Sequence, residues 1–418
     1  MRGVGRAAAF RVAITSAIGI LWATLAGAQV VSQRGFIDTS GILSPQETVS
    51  EPRRAMADAL LRQELFLRPA PWFQFAAGLD LRANTHRQVE EDWRVDLEDR
   101  GVLRPRAAIR RLSATLSAGG FTLDVGKQFI RWGRADVVYP TDRFAPRDYL
   151  NVLQPELLPV IGVRPSLQVA NETVEAVWVP QLTPSRLPLL DQRWAIVASV
   201  AESMSVVDGG SRVPRGPQYG VRWRHTGERI ELAAMFFDGY NHLPDIDAVV
   251  RAEPQRVELT RLYPAIRMYG ADAAVPTGWF TVKLESAYVT STTDSSDEYV
   301  LYVIELERQV GEWLLDAGYV GELERTSRQP LSFSPDRGVA RSIIGRATYT
   351  VDPQRTVILE GAARQGGEGF YAKAEYSQAL GQNWRVTVTG AGIRGDPGDF
   401  LGQYRRNSHA SAALRFSF

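Results

Sequence analysis

Three carboxylates, Asp136, Asp142 and Asp148, share one stretch of chain with the guanidiniums of Arg131, Arg134, Arg143 and Arg147. A pair of acids can divide general-acid and general-base work between them. Acids interleaved with arginines more simply neutralise one another, or line a watery path with opposed charges. Other reactive chemistry is thinly supplied. There is no cysteine, which excludes thiol nucleophiles, disulfides and thiolate-held zinc or iron–sulfur centres. The histidines are His86, His225, His242 and His409, and none stands in a local motif with serine or aspartate that would make a nucleophile–base pair. No acidic loop has the ligand spacing of a calcium site. The sequence predicts no enzyme, no metal centre and no cofactor.

The elements that must hold these charges follow from composition and pattern. Lys and Arg number 48 against 47 Asp and Glu, so no basic excess points to nucleic acid. Hydrophobic residues make up 44%, too dilute for a bundle of membrane helices. Ten Trp, 14 Tyr, 16 Phe and 36 Gly suit a chain rich in strands and turns. At the N-terminus Arg2, Arg6 and Arg11 precede an apolar run from Val12 to Leu25 and the small-residue site Ala26-Gly27-Ala28. That order predicts a secretory signal peptide over residues 1–28. The run falls short of the roughly 20 residues that a spanning helix needs. The remainder is then either soluble outside the cytoplasm or crosses a membrane by strands.

The last ten residues favour strands. Ala410, Ala412, Leu414, Phe416 and Phe418 alternate with Ser411, Arg415 and Ser417, the period of a strand with one face in lipid and one in water. A chain stopping on an aromatic residue at this spacing resembles the terminal strand by which assembly machinery recognises outer-membrane barrels. The same alternation recurs upstream. Phe73, Phe75, Ala77, Leu79 and Leu81 open a series of strand candidates that continues through 106–118, 121–131, 168–179, 192–203, 217–226 and 229–238. It runs on through 265–275, 279–291, 299–309, 313–322, 340–351, 356–365, 370–379, 384–394 and 404–418. Short turns, such as Gly119-Gly120 and Asp352-Pro353-Gln354, alternate with long polar loops, of which 132–167 is the longest. The join at 180–191 is too long for its class. The prediction is all-β: a single transmembrane antiparallel up-and-down barrel of about 16 strands (about 14 to 18), with short periplasmic turns and long extracellular loops. It occupies 71–418. Residues 29–70, with a helix over Pro52–Phe66, form a periplasmic segment that could engage a periplasmic partner.

With apolar positions facing lipid, the other register carries Arg222, Arg224, Lys283, Glu285, Glu305, Glu307, Arg346, Lys373 and Glu375. Glu231, Asp316, Glu360, Arg364, Arg385 and Arg415 continue it. Charges on so many strands require water in the lumen rather than a dry core. Both signs occur, so no strong preference for anions or cations follows. Lys127 and Arg131 fall on the apolar register, and a bulge near Gly126 would re-aim them. The long loop that follows is expected to fold into the barrel. Lys127, Arg131, Trp132, Arg134, Asp136, Asp142, Arg143, Arg147 and Asp148 are its constriction candidates.

This stretch, Gly126-Lys127-Gln128 through Trp132-Gly133-Arg134-Ala135-Asp136 to Pro140-Thr141-Asp142 and Pro146-Arg147-Asp148-Tyr149, also carries a resemblance. It is similar to a poorly characterised family of Gram-negative outer-membrane barrels, themselves similar to alginate-export and porin-like barrels. Val179–Pro188, Phe237-Asp238-Gly239-Tyr240, Tyr263–Asp272 and Gly402-Gln403-Tyr404 extend the likeness over most of 110–418. Lys127 stands where the family more often has Arg. The resemblance implies a barrel and an outer-membrane address, with membrane lipid and small solutes as partners, and it brings no substrate. The expectation is a porin-like channel for small polar or charged solutes with loop 132–167 as its filter. The alternatives are a structural barrel that docks or sheathes a periplasmic or extracellular partner and, less favoured, an outer-membrane enzyme. Oligomeric state is not legible, because a subunit interface and a lipid face have the same apolar pattern.

Overall fold

The computed structural model describes residues 30–195, 205–251, 256–293, 296–326, 334–366 and 369–418. The signal-peptide segment lies outside these residues, as does most of the strand candidate 192–203. The chain folds as an antiparallel closed barrel of 18 strands. The first nine are β1 (Val31–Leu43), β2 (Ala55–Ala70), β3 (Phe73–Asn84), β4 (Ala107–Ala118), β5 (Phe121–Gln128), β6 (Val160–Val169), β7 (Glu172–Val179), β8 (Gln218–Thr226) and β9 (Glu231–Tyr240). The others are β10 (Ala265–Pro276), β11 (Thr281–Ser291), β12 (Glu298–Val310), β13 (Trp313–Thr326), β14 (Ser342–Asp352), β15 (Arg355–Arg364), β16 (Gly369–Leu380), β17 (Trp384–Gly395) and β18 (His409–Ser417). Each pairs with its sequence neighbour, and β1 closes the ring on β18 from Phe36↔Ser417 to Leu43↔Ala410.

Three corrections to the sequence reading raise the strand number. Residues 31–43 and 55–70 are barrel strands, not a periplasmic segment, and 52–66 is not a helix. The adjacent apolar pairs Leu60-Leu61 and Leu65-Phe66 mimic helical spacing. The alternation that decides the matter is carried by Asp58, Arg62 and Glu64, and it is completed by thirteen consecutive pairings between β1 and β2. Without β1, strand β18 would present an unpaired edge in the membrane, which closure removes. The third correction is a hairpin, β6–β7, turning at Ala170-Asn171, where one strand was expected. Its presence moves 180–217 to the long-loop side and removes the irregularity at 180–191. Residues 192–195 are not strand, and β7 pairs directly with β8.

Connections now alternate between two ends of the barrel. Residues 71–72, 119–120, 170–171, 227–230, 277–280, 311–312, 353–354 and 381–383 are tight turns at one end, and both termini of the ring lie there. The other end carries the longer loops, and a small three-stranded sheet (Ser205–Arg212, Asp245–Arg251 and Arg256–Leu262) stands among them. On the outer wall the large exposed side chains include Val221, Trp223, Leu284, Ile304, Leu306, Leu359 and Leu414. At the tight-turn rim, exposed Trp72, Phe121, Trp279, Trp313 and Trp384 form a girdle. Trp313 stacks on Tyr349 at 4.6 Å and Trp384 packs on Phe416 at 4.8 Å. An apolar band ending in aromatic side chains is the surface that a bilayer and its interface require.

Candidate functional site

The loop 129–159 leaves β5 and enters the lumen. Its entry is set at Gly126, whose φ of +114° is a conformation glycine reaches without a Cβ penalty. The next residue, Lys127, is thereby turned inward, with Nζ 2.6 Å from Asp99 and a side chain only 1% exposed. The re-aiming matches expectation but its device differs. Pairing of Gly126 and Lys127 with Ser113 and Leu112 on one side and Gly162 and Ile161 on the other continues without a shift, so no residue is inserted.

Inside, the loop is stitched to itself and to the wall. Asp142 Oδ1 accepts the backbone N–H groups of Trp132 and Gly133 at 2.7 and 2.6 Å. Arg131 and Arg147 flank the Tyr139 ring at 4.8 and 4.5 Å from its centroid, and both reach Asp142 Oδ2, at 3.5 and 3.4 Å. Trp132 packs edge-on against Phe144, and Phe144 against Phe237 of β9, at 5.1 and 4.9 Å. Gly220 of β8 makes room for them: a Cβ there would lie 2.6 Å from the Phe144 ring and overlap Trp132. The inward register beneath is apolar, with Met235, Phe237, Met268, Val289, Leu301 and Val303 all buried. The long-loop half of that wall is therefore dry, and the charges expected all along the lumen are concentrated nearer the tight turns.

Wall acids hold the loop, Glu175 of β7 among them through the Trp132 indole N–H at 2.5 Å. Glu285 accepts from the N–H groups of Arg134 (2.7 Å), Ala135 (2.9 Å) and Thr141 (3.0 Å) and from the Thr141 hydroxyl (2.8 Å). Glu305 accepts from Asp136 N at 3.0 Å. The Arg134 guanidinium bridges Asp272 (2.6 Å) and Glu231 (2.7 Å), and Arg222 shares Asp272 at 2.9 Å. Lys283 ties the Asp136 carboxylate (2.6 Å) to Glu307 (2.7 Å). Asp136, Glu307 and Asp316 bring carboxylate oxygens within 4.8 Å of one another around that ammonium.

A second network fastens the loop to its neighbours. Asp148 receives Arg104 at 2.8 Å and Arg186 at 3.4 Å, and Arg186 also reaches Asp99 at 2.8 Å. Burial alone would raise the Asp148 carboxyl, but Arg104 and Arg186 outweigh it and hold the group below its ordinary range. The Asp99 carboxyl is lowered in the same way: burial opposes, and Arg186 and Lys127 prevail. Arg143 is buried on the Pro140 carbonyl at 2.8 Å and lies 3.5 Å from Asp336 of loop 327–341. His242 Nδ1 sits 2.9 Å from the Ser185 hydroxyl. Burial, with Arg143 and Arg147 nearby, pushes this imidazole down to about 3.

Opposite the docked loop the lumen stays open. A cavity of about 750 Å³ is lined by Asp38, Asp58, Arg82, Lys373, Glu375 and Arg385, by hydroxyls of β16–β18 and β1, and by Trp194, His86 and Gln88 from the loops. Its lining includes His409 and Arg415, near the two ends of β18, a span of about 20 Å at the rise of an extended strand. The void therefore follows the wall for most of its height.

All nine constriction candidates lie within this assembly, Lys127 at its entry and the others on or beside the docked loop. The nine charged strand residues face the lumen: Lys373 meets Glu360 at 3.3 Å, Arg346 lies opposite Asp316, and Arg224 shares a face with buried Ala233. Sequence reasoning missed Asp272, Glu231's hold on the loop, Arg104, Arg186 and the whole β1–β2 side of the cavity. Asp272 stands in the alternating register of β10 and was open to the same test as Glu285. Arg104 and Arg186 lie in irregular loops, where no period marks them.

No protein-family model matches the chain, and neither does any curated protein. Solved structures do. A BenF-like porin from Pseudomonas fluorescens Pf-5 superimposes with a TM-score of 0.54 at 10% identity, over 93% of this chain and 98% of that one. OccAB4 of Acinetobacter baumannii gives 0.57 at 9% identity, over 93% and 98%. OpdK of Pseudomonas aeruginosa, solved with vanillate, gives 0.53 at 10% identity, again over 93% and 98%. At such identities the likeness is one of architecture, and the chain has the fold of these outer-membrane porins.

Proposed function

We propose that the chain is an outer-membrane channel for small polar or charged solutes, with loop 129–159 as its constriction. The observation that carries this reading is the pairing of a docked inner loop with an open cavity that follows the opposite wall. A barrel built only to sheathe a partner has no need of either. That alternative rested on residues 29–70, and 31–43 and 55–70 are wall strands. Residues 1–28 act as the cleaved signal peptide in this reading, and the β18 strand ending at Phe418 as the recognition element for assembly machinery. The sequence likeness that extends to alginate-export barrels brings no substrate to this reading. The reading includes no catalysis. Single-channel recording in planar bilayers tests it, comparing the intact chain with one shortened within 134–147. Stable steps that grow on shortening are expected. Silence in both forms refutes the channel.

A further inference from the structure

The cavity beside the docked loop has a chemical character that the channel reading alone does not fix. Its cations are already engaged. Arg82 is held by Glu156 at 2.7 Å, Arg104 by Asp148 at 2.8 Å, Lys373 by Glu360 at 3.3 Å and Arg415 by Asp38 at 2.7 Å. Arg193 spends its guanidinium on backbone carbonyls, those of Arg53 at 3.3 Å and Arg406 at 2.8 Å among them. Arg385 has no carboxylate within ion-pair range among the described residues, and it donates to the Ser377 hydroxyl at 3.0 Å. At Arg82, Arg104, Lys373 and Arg415 an anion would have to displace an existing carboxylate, with the cost of leaving that group unpaired.

Among these charges lies a row of hydroxyls, which shares its face with Glu375, the strand partner of Thr389. Ser377 pairs with Thr387 across β16–β17, and Thr389 with Ser411 across β17–β18. All of these line the cavity, as does Ser40 of β1. Facing them from the loops are Asn151 and Gln154 with the Trp194 indole. Hydroxyl and carboxamide groups both donate and accept, which matches a solute whose own hydroxyls do the same. The cavity volume, about 750 Å³, falls within the roughly 300–1,000 Å³ of small-molecule sites.

We infer that the preferred solute is a neutral polyhydroxylated molecule of monosaccharide to disaccharide size, recognised along the Ser377–Thr387–Thr389–Ser411 face. This rests on the channel reading and makes it specific. The test is proteoliposome swelling with the full barrel, comparing glucose and sucrose with benzoate and gluconate at equal osmolarity. A double variant, Thr389→Val with Ser411→Val, removes hydroxyls without changing charge, and heat-modifiable migration in detergent gels confirms that it closes as a barrel. Glucose entry at least as fast as benzoate entry is expected in the wild type. The variant is expected to lose about fivefold or more in sugar entry while keeping its potassium chloride conductance. Should that double variant fail to fold, Thr387→Val alone serves, with the same split between sugar and salt. Benzoate entering tenfold faster than glucose overturns the inference and leaves the channel standing, as does equal sugar entry in wild type and a folded variant. Absence of salt conductance would overturn the channel and this inference together.

Discussion

Removing the Glu285 carboxylate should release the inner loop. Three backbone N–H groups and one hydroxyl converge on its two oxygens at 2.7–3.0 Å, and Glu285 is only 2% exposed. An orphaned buried donor costs about 1–3 kcal/mol. In Glu285→Ala the docked state therefore loses roughly 4 kcal/mol even if each donor loses the least. At about 1.4 kcal/mol per factor of ten, that shifts docking nearly a thousandfold toward the open arrangement. Arg134, Asp136 and the Trp132–Phe144–Phe237 stack remain to oppose release, so the expected record is larger open steps interrupted by closures. The isosteric Glu285→Gln keeps one acceptor oxygen and should fall between the two. Single-channel recording reads the conductance, and amide hydrogen exchange at Arg134, Ala135 and Thr141 reads the docking. An alanine variant with wild-type steps and wild-type protection would refute the claim that these bonds hold the constriction.

Gly220→Leu drives a side chain into the space of Trp132 and Phe144; overpacking at about 1–3 kcal/mol should raise conductance without unfolding the barrel, as judged by detergent-gel migration. Gly126→Ala combines a φ of +114° with a Cβ that meets the Leu112 carbonyl, and should lower the thermal transition of the barrel by several degrees. His242 titrates near 3 in the folded protein, against 6.5 when its loops come apart. Its neutral form favours packing above pH 6.5, and that advantage is lost as pH falls from 6.5 towards 3. Asp99 and Asp148, held below 3.8, keep their contributions down to about pH 4. Melting between pH 7 and pH 4.5 should therefore fall in the wild type and fall less in His242→Gln. His86, also lowered by burial, contributes to the part that remains. With Arg82, Arg104, Lys373 and Arg415 each paired to a carboxylate, a potassium chloride gradient should give a reversal potential near zero, and a strongly anion-selective value would contradict the pairing.

Most of the barrel was legible because a strand between lipid and water must alternate, and the alternation of Leu414, Phe416 and Phe418 is hard to produce otherwise. Legibility failed where apolar residues sit side by side. Leu60-Leu61 and Leu65-Phe66 looked helical because both faces of β2 carry apolar side chains, and only the partner strand decides between the two periods. The loop's inward fold was readable from its density of Arg, Asp and aromatic residues. Its anchors were readable only in part: Glu285 and Lys283 announce themselves as charges in an alternating register, whereas Gly220 matters through the absence of an atom. The same holds for the apolar inner wall around Met235, Phe237 and Met268. Those residues occupy the lumen register and gave no sign that a loop, rather than water, would cover them.

The ring is sealed between the first strand and the last, with Gly35 and Phe418 exchanging backbone hydrogen bonds at 2.9 Å in both directions. Thr39 and Leu414, in contact across that seam, are 375 residues apart in sequence. Local hairpins can zip as soon as they exist, but this junction waits for nearly the whole polypeptide. Until it forms, β1 and β17 or β18 each offer a bare edge to any other strand in reach. This junction is the most non-local pairing in the ring, and such pairings are intrinsically slow to form. A change that weakens only the Val31–Leu43 strand should show itself less as a softer finished barrel than as chains lost to aggregation before the ring shuts.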